Sequence, residues 1–286
     1  MKEINFISAC SDLGVNICGS EKGPLILTES FNIKNHIVKK ENIVKSSDPN
    51  DLRKNEKYIN IFTKKIFDVA TEILNDNKTP LLIGGDHSTV IGSALASQKY
   101  HKNIGIIWVD AHIDYNTFET TITGNIHGLP LAAINGLCED LTNFITTNNI
   151  NPKNTVVVGY RAKEENADKE MNNIKRSGVT VFTTEDVKKY GPDIIMKKAI
   201  EIASNNTNGI HVSLDLDVID PNIAPGVSIP EIDGISDNDM YLIVDEILKY
   251  KDLVKSIDLV ELNPDLDINN KTKEIALNIL KKISTD

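Results

Sequence analysis

The sequence predicts a doubly wound α/β fold built on a mainly parallel sheet, and three observations carry that expectation. Short apolar or β-branched runs recur at 4–8, 80–84, 104–109, 155–160, 179–184, 209–218 and 254–262. Several are apolar almost throughout rather than alternating, the pattern of strands covered on both faces of a parallel sheet. Segments with helical periodicity lie between them, and strand–helix alternation from end to end fits right-handed crossovers.

Taken in order, INFIS (4–8) reads as the first strand and residues 51–77 as a helix. PLLIG (80–84) is the next strand, with a helix over 88–100 beyond it. IGIIWV (104–109), TVVVGY (155–160) and VTVFTT (179–184) follow as strands, then a helix over 192–205 and the strand GIHVSLDLDV (209–218). The helix over 236–250 opens on Ser236 and Asp239, a capping box with Asp in place of the usual Glu or Gln. Its stripe Tyr241, Leu242, Val244, Ile247 and Leu248 is expected in the core. VKSIDLVEL (254–262) is the last strand and 271–283 the last helix, while NGLCEDLTNFITTNN (135–149) reads as a polar-faced helix or a loop. No Pro/Gly/Ser linker divides the chain and no internal period appears, so one domain over 1–286 is expected.

Composition narrows the function. A formal charge of −10 argues against a nucleic-acid footprint of clustered Lys and Arg. Cys10, Cys18 and Cys138 lack CxxC spacing, which gives neither a disulfide framework nor a thiolate metal site. A reducing cytosol is therefore the expected compartment. The opening MKEINFISAC has no apolar signal-peptide core, and no apolar run approaches the ~20 residues needed to span a bilayer.

The ends of four strands hold the chemistry. Strand 80–84 runs into GGDHS and His87; strand 104–109 runs into DAHID; strand 209–214 runs into Asp215 and Asp217; strand 254–260 runs into Glu261, ahead of Asn263-Pro264. In open α/β sheets, ligands bind outside these carboxyl ends. Side chains two apart on an extended chain share a face, so Asp110, His112 and Asp114 are expected to converge, as are Asp215 and Asp217. Together with His87 this gathers four carboxylates and two imidazoles. Carboxylates packed so closely repel one another unless cations are present. Two divalent ions sharing bridging carboxylates use such a set naturally. Oxygen and imidazole donors without thiolate suit Mn²⁺, and Fe, Co, Ni or Zn by affinity.

Each motif alone has a plainer explanation. A single Asp-x-Asp at a strand end is more often a turn or a cap, and GGDHS alone is a tight strand–helix turn. All three, each following a buried strand, outweigh that reading. His127, in GNIHG, is either a loop histidine or a proton carrier; Asp220-Pro221 is turn chemistry; His36, His101 and His211 are structural or exposed.

GGDHS, DAHIDYN, SLDLDVIDP and ELNP, in this order and across most of the chain, resemble the ureohydrolases: arginase, agmatinase and formiminoglutamase. The resemblance implies a three-layer α/β/α domain, two manganese ions per chain and a homo-oligomer, commonly a trimer or hexamer. It implies that His87, Asp110, Asp114 and Asp215 hold one manganese. His112, Asp110, Asp215 and Asp217 hold the other, with Asp110 and Asp215 bridging. It places the guanidinium-binding carboxylate on Glu261 and the proton-shuttle histidine on His127, so that Asp114, His127 and Glu261 form the expected catalytic group. The implied reaction is attack by a hydroxide held between the metals on a small guanidino substrate, releasing urea and an amine.

The loop 116–128 is similar to that of arginases, whose Asn and Ser/Thr side chains grip the substrate α-carboxylate. Asn116, Thr121, Thr123 and Asn125 stand at those positions, and such groups are suitable donors. GSEKGP (19–24) is also arginase-like. Arginine, cleaved to urea and ornithine, is the expected substrate, with agmatine, cleaved to urea and putrescine, as the alternative. Several features depart from the arginase pattern. Glu164 or Glu165 replaces the Asp expected near the α-amino group, APG (224–226) is common in agmatinases, Ile229 replaces a Thr, and Glu119 would favour a second cationic group. A non-catalytic metal-binding homologue is the reading from another class. The presence of every ligand, His127 and Glu261 argues against it, and the second His ligand argues against a single-metal deacylase.

Overall fold

Eight strands form one sheet in the order β2-β1-β3-β8-β7-β4-β5-β6, with every pairing parallel, in a computed structural model that describes residues 1–46, 48, 50–145, 147–162 and 167–285. The strands are β1 (Ile4–Cys10), β2 (Asn35–Lys39), β3 (Thr79–Gly84), β4 (Gly105–Val109), β5 (Thr155–Tyr160), β6 (Thr180–Thr183), β7 (Ile210–Asp215) and β8 (Val254–Val260). The helices are α1 (Gly23–Thr28), α2 (Glu56–Asn75), α3 (Val90–His101), α4 (Pro130–Ile134), α5 (Ala167–Ser177), α6 (Thr184–Tyr190), α7 (Pro192–Ser204), α8 (Asp237–Lys249) and α9 (Lys271–Thr285).

The apolar runs are explained by the two layers that cover the sheet. Phe6, Leu81, Ile83, Ile107, Val109, Val212, Leu214 and Leu259 face α1 and α6 to α9. Ile7, Ala9, Leu82, Ile106, Trp108 and Val157 face α2 to α5 on the other side. A strand buried on both faces needs apolar residues at consecutive positions, as β3 and β4 have. The β7 and β8 face beneath α3 is polar instead: His211, Ser256 and Asp258 are fully buried there. His211 Nε2 lies 2.8 Å from Asp258 Oδ2, which also accepts from Ser93 Oγ of α3 at 2.8 Å. His211 is thus structural, as expected.

The Ser236–Asp239 capping box opens α8, and Thr183 with Asp186 makes a second at α6. That second box ends β6 one residue before the predicted run does. The buried stripe of α8 is Met240, Ile243, Val244, Ile247 and Leu248, whereas Leu242 is exposed, contrary to expectation. One hundred degrees per residue carries position 242 round to the solvent side. Among the described residues of 135–149 the chain is loop, with a short 3-10 turn at Glu139–Leu141.

Strands β3, β8, β7 and β4 are consecutive neighbours at the centre of the sheet. These are the four strands whose ends carry the motifs. Their parallel pairing brings His87, Glu261, Asp215 and Asp110 to one edge.

Candidate metal centre and active site

At that edge, the backbone of GGDHS passes so close to β1 that a Cβ on Gly85 would lie 1.9 Å from the Ser11 carbonyl oxygen. Only glycine fits. The Asp86 side chain then caps the following turn by accepting from the Ser88 amide at 2.8 Å and from the Gly14 amide at 2.9 Å. This fixes His87, 1% exposed, facing the ends of β4 and β7.

The carboxylates converge, but not by strand alternation. β4 stops at Val109, and Asp110 to Asn116 run as bend and coil with Asp114 at φ +53°. Asp110 Oδ1 accepts the His112 amide at 2.6 Å, and Asp215 Oδ1 accepts the Asp217 amide at 2.8 Å. Each Asp closes a tight turn on the residue two ahead. Turn chemistry and convergence are here the same geometry: the turn aims the second Asp oxygen and the following ligand into one space.

Two groups result. His87, Asp110 and Asp215 form the first, Asp110, His112 and Asp217 the second, and Asp110 belongs to both. His87 Nδ1 lies 3.0 Å from Asp110 Oδ2, 3.1 Å from Asp114 Oδ2 and 2.9 Å from Asp215 Oδ2. His112 Nδ1 lies 2.9 Å from Asp217 Oδ2 and 3.5 Å from Asp110 Oδ1.

Residues that no motif pointed to support these side chains. His87 Nε2 is 2.9 Å from Ser213 Oγ, and the Trp108 indole stacks on the His87 ring with centroids 3.9 Å apart. Trp108 Nε1 donates to Asp110 Oδ2 at 2.9 Å. Arg161, just beyond β5, donates to the backbone carbonyls of Asp217 (2.8 Å), Val218 (2.9 Å) and Glu231 (2.9 Å), clamping two loops together. A single Trp at a strand end and Ser213 two residues before Asp215 are the signals that alternation could have used; Arg161 has none comparable.

The residues fit divalent cations. With His87 Nε2 donating to Ser213, Nδ1 carries a lone pair directed at three carboxylate oxygens and has no hydrogen-bond partner in the required geometry. Burial, reinforced by the Asp110 charge, lifts the Asp114 carboxyl to about 7. Burial and the neighbouring Asp217 and Asp110 lift Asp215 well above the carboxylate range. Burial lowers the basicity of His87, but Asp110, Asp114 and Asp215 outweigh it and raise it. Such a set retains protons to neutralise itself, and cations do the same work without them.

Beside these groups stands a carboxylate–imidazole pair. Glu261, 3% exposed and at φ +69°, accepts the His87 amide at 2.9 Å and faces His127 Nδ1 at 3.0 Å, both through Oε1. Its Oε2 is buried with no hydrogen-bond partner among the described residues. Burial depresses the His127 imidazole, but Glu261 more than offsets this and lifts it to about 9. Asn116, Thr121, Thr123, Asn125 and Ile229 line a cleft with His127. The site residues named from sequence are thus adjacent, with two exceptions. Glu164, like Glu165, lies outside the described residues. Glu119 is exposed and lines a different groove with Arg53 and Asp140, so it does not offer a second cation site in the cleft. Asp220 is turn chemistry, accepting from the Asn222 amide at 3.0 Å.

Comparison with known proteins agrees with this geometry. The sequence profile of the Arginase family matches residues 2–285. The chain is similar to an arginase of Bacillus caldovelox, 32% identical over 98% of this chain and 97% of that one. It is 38% identical to an arginase of Bacillus subtilis over 77% of this chain and 73% of that one. The native structure of the Bacillus caldovelox arginase superposes with a TM-score of 0.90 at 30% identity, covering 100% of this chain and 99% of that one. With the motifs in order, the sheet wholly parallel and the buried His/Asp groups at its edge, the chain belongs to the arginase family, the metal-dependent ureohydrolases.

Proposed function

We propose that this protein is an arginase, hydrolysing arginine to urea and ornithine with two Mn²⁺ per chain. One observation carries the reading: Glu261 bonds both the His87 backbone and His127, which lines the cleft of amide and hydroxyl side chains, and its Oε2 is buried with no partner among the described residues. His87, Asp110, Asp114 and Asp215 would hold one ion; Asp110, His112, Asp215 and Asp217 the other. Asp110, common to both groups, is the bridge the geometry supports best. When bound, the pair of divalent cations supplies Lewis acidity that makes hydroxide available near neutral pH.

The chain's own groups do the rest. Glu261 Oε2 pairs with the planar guanidinium by charge-assisted hydrogen bonds and orients its carbon. That pairing neutralises the charge which keeps His127 basic, so substrate binding lowers the His127 pKa from about 9 toward the range of an acid useful at neutral pH. His127 then delivers its proton to the departing amine. Asn116, Thr121, Thr123 and Asn125 offer donors to the α-carboxylate. Agmatine, the alternative substrate, has no carboxylate to use them, and the named relatives are arginases. Ile229 gives the cleft lining an apolar surface instead of a hydroxyl.

No helix among the described residues is long and apolar enough to cross a membrane. Action in the cytoplasm as a homo-oligomer belongs to the same proposal. The test is urea release by manganese-loaded protein from arginine, agmatine and other guanidino compounds in parallel. Arginine turnover is expected. Turnover of agmatine alone would overturn the substrate, and turnover of none would favour a binding protein.

A further inference from the structure

The substrate cleft is built on a loop, and that loop rests on a segment the site description has not used. Lys54 is 5% exposed, and its ammonium donates to the Thr123 backbone carbonyl at 2.6 Å. Burying an ammonium is costly unless its hydrogen bonds compensate, and Lys54 has no ion pair among the described residues. Core packing does not call for such a residue; an aliphatic side chain fills the same space more cheaply.

Two further contacts tie the same segment to the same loop, and a third anchors the segment elsewhere. Gly124 has φ +69° and packs so tightly that a Cβ there would lie 2.5 Å from the Asp51 carbonyl oxygen. The Arg53 guanidinium lies 4.1 Å over the Phe118 ring, while bridging to Asp140 at 2.8 Å and Glu56 at 3.0 Å. Asn55 fastens the far end, donating to the Leu13 carbonyl at 3.0 Å. Within the loop, Thr121 Oγ1 accepts the Gly124 amide at 3.1 Å and Thr123 Oγ1 accepts the Asn125 amide at 3.2 Å. The loop is therefore internally folded, and Lys54 holds it from behind at Thr123.

We propose that Lys54 is a positioning residue for recognition of the substrate's anionic tail: by holding the Thr123 carbonyl it fixes the Thr121, Thr123 and Asn125 donors over the cleft and sets a positive charge one hydrogen bond behind them. It acts through the loop and does not touch the reacting guanidinium. This inference rests on the arginase reading above. The loss should fall on substrate affinity rather than on chemistry, and only for substrates that carry the carboxylate.

The experiment compares manganese-loaded wild type with Lys54→Met, which keeps the stem and removes the ammonium. KM for arginine is expected to rise about tenfold with kcat changed little, while kcat/KM for a guanidino compound lacking the carboxylate, such as agmatine, stays as in wild type. Metal content is expected to be unchanged. Equal loss on both substrates, or loss of metal, would show a merely structural role and overturn the proposal, as would unchanged arginine kinetics. Lys54→Gln, which keeps an N–H donor without the charge, gives the same ratio should Lys54→Met not fold; partial loss of discrimination is expected there, and none overturns the proposal. Failure of the wild type to release urea from arginine removes the arginase reading and this inference with it. Wild-type turnover with undiminished discrimination in the variants removes this inference alone.

Discussion

His127 Nδ1 lies 3.0 Å from Glu261 Oε1, the same oxygen that accepts the His87 backbone amide at 2.9 Å. One carboxylate oxygen is thus committed to the protein, and the other is buried with no hydrogen-bond partner among the described residues. The φ of +69° at Glu261 holds this arrangement just past the end of β8, a backbone conformation that costs energy outside glycine and is kept where surrounding structure demands it.

Glu261→Gln keeps the shape and removes the charge. Loss of a buried charge-assisted pair lowers kcat/KM for arginine on the order of 100-fold or more, with metal content unchanged. The same variant moves His127. Burial depresses the imidazole, and its elevation to about 9 comes first from Glu261 with smaller help from Asp114 and Asp86, so removing the Glu261 charge is expected to move the titration clearly downward. Imidazole NMR titration of the two proteins measures this directly. A His127 that titrates alike in both would separate it from Glu261 and remove the coupling on which its role as an acid depends.

Trp108→Phe tests the support behind Asp110. The phenyl ring can still stack on His87, but the indole N–H that donates to Asp110 Oδ2 at 2.9 Å is gone. A hydrogen bond to a buried charged group contributes about 2 kcal/mol. Denaturant unfolding of the metal-free variant should show a loss of that size, and its metal affinity should fall about tenfold. A variant as stable as wild type and equal to it in metal binding would show that Asp110 is held by the His112 amide alone.

How far the sequence discloses this site depends on where each signal lies. Strands β3, β4 and β5 are buried on both faces and so leave unbroken apolar runs, which the sequence shows plainly. β2 leaves none. Asn35–Lys39 is an edge strand with a single buried residue, Val38, and its composition is that of a loop. The clustered His and Asp residues are legible because their types and order are specific, yet the reason for their convergence is not. Alternation predicts an extended 110–114, whereas the chain turns there, with Asp114 at φ +53° and its carbonyl accepting the Leu131 and Ala132 amides at the start of α4. Lys54 and Arg161 are invisible for another reason: both act on backbone carbonyls distant in sequence, at Thr123 and Asp217. A residue that recognises backbone leaves no pairing pattern among side chains.

Asp110→Asn and Asp215→Asn separate ligation from fold. Each amide keeps the side-chain oxygen that closes its turn on the His112 or Asp217 backbone, so both turns should persist, although Asp110→Asn also gives up the Trp108 hydrogen bond to Oδ2. Each removes one negative charge from a group meant to hold a cation. Metal analysis after gel filtration should find fewer than two manganese ions per chain in both variants, with activity lost in parallel. Two ions retained by both would refute the assignment of these residues as bridging ligands. Because Asp110 belongs to both groups and Asp215 lies with the first, Asp110→Asn is expected to lose more metal of the two.

Proton competition gives the pH dependence of the same centre. Burial and the Asp110 charge place Asp114 at about 7, burial with Asp217 and Asp110 raises Asp215 well above the carboxylate range, and His87 and His112 are raised by their carboxylate neighbours despite burial. A raised pKa means that the protonated form persists to higher pH. Binding a cation requires those protons to leave, so affinity is greatest at alkaline pH and falls as pH drops through about 7. Between pH 8.5 and pH 6, Mn²⁺ affinity should weaken at least about tenfold, one displaced proton giving a tenfold change per pH unit once its group is protonated. Calorimetry in buffers of different ionisation enthalpy counts the protons released, and a net release at neutral pH is expected. Binding that strengthens toward pH 6, or that releases no protons, would mean the cations sit elsewhere than among Asp114, Asp215 and the two histidines.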